Sequence, residues 1–207
     1  MEKRIKNFND FNISEKELPD SQGKILVILG APGSGKGTLS KMLKEKYNFE
    51  HISTGELIRK SDDPEIKKIV GTGKFLSDDL MIKMLRKEMK KIDIAKSNVI
   101  LDGFPRTIKQ AKRLDSMFGK MGLGLNHAIF LDLPDDVAKE RIKKRAEIED
   151  REDDSSDEVI NKRFEEYHDK TFPLLDFYTK SRKLITLKAD KGKDDLLKQI
   201  RKKLQIK

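Results

Sequence analysis

A chain of 207 residues, 36% hydrophobic and 39% charged, can bury one sizeable core beneath a densely charged surface. It has no run of eighteen apolar residues and no cysteine, which excludes a membrane-spanning helix, disulfides, Cys-based zinc sites and thiol catalysis. Lys plus Arg number 45 against 36 Asp plus Glu, a net +9 scattered along the chain; no basic arm, aromatic-basic RNA motif or Cys/His finger points to nucleic acid.

Residues 1–23 mix Lys3, Arg4, Lys6 and Lys16 with Glu2, Asp10, Glu15, Glu17 and Asp20. They lack the apolar stretch of a secretory signal and carry too many acids for a mitochondrial presequence. The expectation is a cytoplasmic protein whose N-terminal extension is either docked by Phe8, Phe11 and Leu18 or disordered, ahead of a domain over 24–207. Ile25 to Leu29 is a continuous apolar run that predicts a strand buried on both faces. Leu39, Met42, Leu43 and Tyr47 then repeat at helical spacing. A short strand is expected at His51–Ser53, and others at Val99–Leu101, Ala128–Leu131 and Leu184–Leu187. Between them, helices are expected over Leu80–Met89, Ile108–Phe118, Val137–Arg145, Val159–Lys170 and Leu196–Leu204. This alternation predicts an α/β fold with a parallel sheet covered on both faces and a ligand site at the carboxyl ends of its strands.

The first strand runs into Gly30-Ala31-Pro32-Gly33-Ser34-Gly35-Lys36-Gly37-Thr38. Glycines let several N–H groups turn onto one anion, the following helix adds its positive end, and Lys36 supplies a point charge. The phosphate-loop pattern is met except at its last place, where Gly37 stands and the hydroxyl arrives one residue later at Thr38. Direct metal ligation by a loop hydroxyl is therefore not expected. The bland alternative is a Gly-rich turn without a ligand; its flanks and Lys36 argue for a nucleoside triphosphate.

Two further segments bear on the acceptor. His51-Ile52-Ser53-Thr54-Gly55-Glu56-Leu57-Ile58-Arg59 offers a hydroxyl and a guanidinium, although Thr54 alone reads equally well as a helix cap. Asp102-Gly103-Phe104-Pro105-Arg106-Thr107, with Gln110 beyond it, places a carboxylate at a strand end, where it can reach Mg²⁺, and an arginine in the turn that follows.

Taken in order, Gly-Ala-Pro-Gly-Ser-Gly-Lys-Gly-Thr, Ser-Thr-Gly-Glu-Leu-Ile-Arg and Leu-Asp-Gly-Phe-Pro-Arg-Thr-x-x-Gln resemble adenylate kinases, from about Lys24 to Leu204. The resemblance implies a P-loop nucleoside triphosphate hydrolase-like three-layer fold around a parallel five-stranded sheet. It also implies a helical AMP-binding insertion at about 54–83 and a short lid at about 142–162. The implied reaction is ATP plus AMP giving two ADP, reversibly and with Mg²⁺, by a monomer. Gly33, Ser34, Gly35, Lys36, Gly37, Thr38, Arg141, Arg145 and Lys191 would hold ATP, Arg141 covering the adenine. Thr54, Arg59, Lys74, Phe75, Leu76, Gly103, Phe104, Pro105, Arg106, Gln110, Arg151 and Arg163 would hold AMP, with Gln110 reading the adenine edge. Lys36, Arg106, Arg145, Arg151 and Arg163 would act in catalysis, and Asp102 would hold Mg²⁺ through water. Related UMP and CMP kinases usually carry Ala at the Thr54 place, so Thr54 and Gln110 favour AMP.

Two departures stand out. Glu149-Asp150 replace the small residues usual before Arg151, and acids there repel a triphosphate unless they point away. Arg59 to Gly73 spans fourteen residues, fewer than the family commonly has. The acceptor needs no general base, because a phosphate monoester with a second pKa of about 6 is mostly dianionic at neutral pH. His51, His127 and His168 are therefore read as surface or satisfied side chains. The alternatives are a pyrimidine monophosphate kinase and a basic nucleotide- or nucleic-acid-binding module without turnover. A GTPase is disfavoured, because Asn161-Lys162 lacks the following acid that guanine recognition needs.

Overall fold

The computed structural model describes residues 23–71, 76–146 and 156–206. Their strands are β1 (Ile25–Gly30), β2 (Glu50–Ser53), β3 (Val99–Asp102), β4 (His127–Asp132) and β5 (Leu184–Lys188). They form one parallel sheet in the order β2-β3-β1-β4-β5. The helices are α1 (Lys36–Tyr47), α2 (Thr54–Arg59), α3 (Pro64–Gly71), α4 (Asp78–Met89), α5 (Ile108–Lys120), α6 (Asp135–Ala146), α7 (Asp157–Glu166), α8 (Pro173–Lys180) and α9 (Lys193–Leu204).

β1 explains the layering. All six of its residues are buried, because neighbouring strands pair with both edges and helices cover both faces. Its side chains alternate between two cores, as a strand's period of two requires. Leu26 and Ile28 belong with Leu39 and Leu43 of α1, Ile142 of α6 and Ile200 of α9. Ile25, Val27 and Leu29 belong with Leu85 of α4, Leu114 and Phe118 of α5 and Tyr178 of α8. The chain leaves β1 for β2 on one side, then passes from β3 across β1 to β4 on the other. That reversal opens a crevice at the carboxyl ends of β1 and β3, where Gly30 and Asp102 stand.

The expected strands and the three-layer α/β arrangement are present, with one correction among the helices. The periodicity from Val159 to Lys170 reads as one helix, but α7 ends at Glu166 and a π turn follows over Tyr167–Thr171. Phe172 N–H reaches back to Tyr167 O at 2.8 Å, and Pro173 opens α8. Proline suits a first helical position but lacks the N–H a continuing helix would need, so the chain restarts there. The shortened segment after Arg59 still contains a helix, α3, with Asp63 Oδ1 accepting from Glu65 N–H at 2.9 Å.

Leu114 is fully buried between α5 and the sheet. Leu114→Ala should cost about 2–5 kcal/mol of stability, read from chemical denaturation midpoints at unchanged slope.

Candidate active site

The phosphate loop follows from what its backbone must do. Gly33 has φ +79°, and a Cβ there would lie 2.3 Å from the Ala138 carbonyl oxygen of α6. Only glycine meets both conditions. Gly35 precedes α1 and offers no capping side chain. The helix's first internal bond runs from Leu39 N–H to Gly35 O at 2.9 Å. The N–H groups of Lys36, Gly37 and Thr38 therefore meet no helical carbonyl, as at any helix start, and suit an anion. Ser34 Oγ is buried without a hydrogen-bond partner.

Lys36 is folded onto its own loop. Its Nζ donates to Gly30 O at 2.9 Å and Ala31 O at 2.8 Å. Burial lowers this ammonium from its ordinary 10.5 to about 8; Asp102 opposes the fall, while Arg106, Arg163 and Arg145 deepen it. Three arginines from separate elements thus act on one lysine. Arg106 follows β3, Arg145 ends α6 and Arg163 lies on α7.

Asp102 closes β3 beside Ile28 of β1 and Ser53 of β2. Burial pushes its carboxyl up, but His51, Lys36 and Arg106 outweigh that and hold it below the ordinary carboxylate range. An ionised carboxylate beside the phosphate loop suits a hard, oxygen-seeking cation that keeps most of its waters. Asp102 Oδ2 lies 3.9 Å from where a Cβ on Gly37 would be. Among the described residues no group of three or more His, Cys, Asp or Glu side chains forms a metal cage. The donor set therefore fits a cation held mainly by phosphates and water.

The acceptor side gathers at the ends of β2 and β3. Thr54 is buried and its Oγ1 donates to Asp102 O at 3.3 Å. The helix cap is Ser53 instead, whose side chain accepts from Glu56 N–H at 3.3 Å. That leaves Thr54 as the first residue of α2, facing the crevice. Gly103 (φ +83°) presses against it, since a Cβ there would sit 2.6 Å from Thr54 Oγ1 and 3.7 Å from an Arg106 nitrogen. Arg59 is exposed and folds back over Gly55, with 3.4 Å between its guanidinium and an ideal Cβ there. Phe104 and Pro105 are buried behind this turn. Leu76 is half-buried and packs on the α4–α5 core.

Gln110 is engaged within the protein. Its Oε1 accepts from Arg106 N–H at 2.7 Å, and its Nε2 donates to Asp78 Oδ1 at 2.8 Å. Across the sheet, Arg141 donates to Ala189 O at 3.0 Å, which sets it beside the loop that carries exposed Lys191. Lys74, Phe75, Arg151, Glu149, Asp150, Gly73 and the extension before Gly23 lie outside the described residues.

Two residues had no role in the reading of the sequence. His51, taken as a surface or satisfied side chain, points inward, with Nε2 3.5 Å from Asp102 Oδ2. A histidine on a strand whose neighbour ends in a carboxylate was the available signal. Thr171 Oγ1 donates to Arg106 O at 3.1 Å, so the π turn after α7 holds the backbone of the arginine turn. Nothing in the local sequence announces that contact, which spans 65 residues. Of the other histidines, His168 pairs with Asp135 at 2.7 Å.

A family model for adenylate kinase matches residues 28–183. An adenylate kinase of Xanthomonas euvesicatoria pv. vesicatoria is 40% identical over 185 residues, covering 86% of this chain and 98% of its own. An adenylate kinase of Xanthomonas campestris pv. campestris is 39% identical over 181 residues, covering 84% and 96%. One of Xylella fastidiosa is 42% identical over 159 residues, covering 74% and 84%. The family model spans most of the chain and the relatives align along nearly all of their length, so the chain is a phosphotransferase and belongs to the adenylate kinase family.

Proposed function

We propose that this protein transfers a phosphoryl group reversibly between ATP and AMP, giving two ADP, as a cytoplasmic monomer that maintains the adenine nucleotide pool. The observation that carries the reading is the joint action of Arg106, Arg145 and Arg163 on Lys36 at the carboxyl ends of β1 and β3. Phosphoryl transfer needs charge and in-line positioning more than proton transfer. The described residues supply that charge, and the acceptor phosphate, already mostly dianionic, needs no base.

In this reading the free N–H groups of Lys36, Gly37 and Thr38 take the donor's phosphates, and Lys36 leaves the Gly30 and Ala31 carbonyls to join them. Arg141 and Lys191 flank the donor base. Thr54, Gly103 and Arg106 receive the acceptor, with Arg59 swinging off Gly55 onto its phosphate. Gln110 gives up Asp78 to read the adenine edge. Lys74, Phe75 and Leu76 complete the acceptor pocket, and Arg151 joins Arg145 and Arg163 around the transferring group. Asp102 would hold Mg²⁺ through water, and the ion would supply positive charge to the donor phosphates. The insertion over 54–83 and the lid over 142–162 exclude water, which would otherwise accept the phosphoryl group.

The direct test gives the purified protein ADP and Mg²⁺ alone and separates the nucleotides by chromatography. ATP and AMP appearing in equal amounts is the expected result. Intact ADP overturns the reading.

Lys36→Met should lower turnover by several orders of magnitude while leaving circular dichroism unchanged. Its effect on stability carries a sign. A lysine pulled from 10.5 to about 8 costs the folded state free energy while it is charged in both states, below pH 8. That cost is relieved as pH rises through 8 and Lys36 gives up its proton in the folded protein. The variant should therefore melt no lower than the parent at pH 7, with any advantage shrinking above pH 8; thermal scans across that range check it.

Thr54→Ala should reduce the kcat/KM preference for AMP over CMP by roughly tenfold, the scale of one contact removed from an acceptor pocket. An unchanged ratio removes Thr54 from base discrimination.

A further inference from the structure

α4 and α5 leave a groove between them. Half-buried Ile82 lies in it above Met117, which is only 2% exposed, and Lys83, Arg86, Lys87 and Lys90 line its α4 side. None of these four cations has a carboxylate partner among the described residues, whereas Arg113 on the α5 side is tied to Asp79 at 2.7 Å. A half-buried isoleucine beside long basic side chains, whose stems are apolar and whose tips are charged, fits a segment that is acidic and apolar together.

The chain carries such a segment beside the groove. Residues 8–20 hold Phe8, Phe11, Ile13 and Leu18, with four acids, Asp10, Glu15, Glu17 and Asp20, against Lys16 alone. Their point of attachment is fixed. Gly23 N–H donates to Ala95 O at 3.0 Å, and a Cβ on Gly23 would overlap Ser97 O at 2.0 Å. Gly23 is thus pressed onto the turn that follows Lys90, at the C-terminal end of α4. From there, Lys83 lies about 10 Å along the helix from Lys90, well within the roughly 40 Å a dozen extended residues span.

We infer that residues 8–20 strap across the α4–α5 groove of their own chain. The apolar side chains cover Ile82 and the aliphatic stems of the basic wall, and Asp10, Glu15, Glu17 and Asp20 face its charges. Exposed ion pairs are individually weak, but a covalent tether gives the segment a high effective concentration, so that several weak contacts suffice. The strap is independent of the kinase reading and braces α4 against α5, the helices joined at their other end by the Gln110–Asp78 contact.

The absence of cysteine makes the test clean. A nitroxide is attached to Ser14→Cys in the full chain, and amide signals are compared with those of the reduced label. The expected result is loss of signal confined to Lys83–Lys90 and the facing turns of α5. The signals should return in a Lys83→Glu, Lys87→Glu, Lys90→Glu variant whose circular dichroism and turnover match the parent. No loss, or loss scattered over the surface, overturns the strap. Loss that appears between labelled and isotope-enriched molecules in a mixture also overturns it, because the occupant is then a second copy. So does a groove untouched by the label whose amides shift on adding a random RNA oligonucleotide or vesicles of anionic phospholipid, because the occupant is then an external polyanion.

Discussion

The site depends on holding several like charges close together before any phosphate arrives. Arg106, Arg145 and Arg163, from the turn after β3 and from α6 and α7, all act on Lys36, which Asp102 and the carbonyls of Gly30 and Ala31 hold in place. Such an arrangement needs rigid supports. The fully buried β1 provides one, and the helices packed on both its faces provide the rest. In the proposed reading, a phosphate entering this crevice replaces repulsion with attraction, so that binding and assembly of the site are one event.

The sheet was legible because its strands are short apolar runs bounded by glycine and charge, and burial on both faces leaves no other reading for Ile25–Leu29. The phosphate loop was legible for a different reason. Gly33 must tolerate both positive φ and the carbonyl of Ala138, so backbone geometry leaves its mark on residue type. The Asp102-Gly103 pair is readable in the same way, since Gly103 exists to let Thr54 and Arg106 approach.

What stayed hidden were contacts between residues far apart in the chain. His51 faces Asp102 because β2 and β3 share a register, which no local pattern records. Thr171 reaches Arg106 because α7 ends early, and the break shows in the sequence only as Pro173, three residues past Lys170, where the expected helix ends. Ser53, rather than Thr54, caps α2; two adjacent hydroxyls are both plausible caps, and only the fold separates them. Gln110's two partners come from α4 and from the turn before α5, so its resting state is a tertiary property.

The contact between Gly33 and Ala138 has a mechanical consequence. α6 is a wall of the phosphate loop, and its backbone is wedged against Gly33 with no room even for a methyl group. Ile142, one turn further along α6, presses on the same spot and is itself buried in the core. The two contacts pin loop and helix to each other over one turn, so neither can shift without the other. Arg145, less than a turn beyond Ile142, therefore rides on a helix whose position the phosphate loop itself sets.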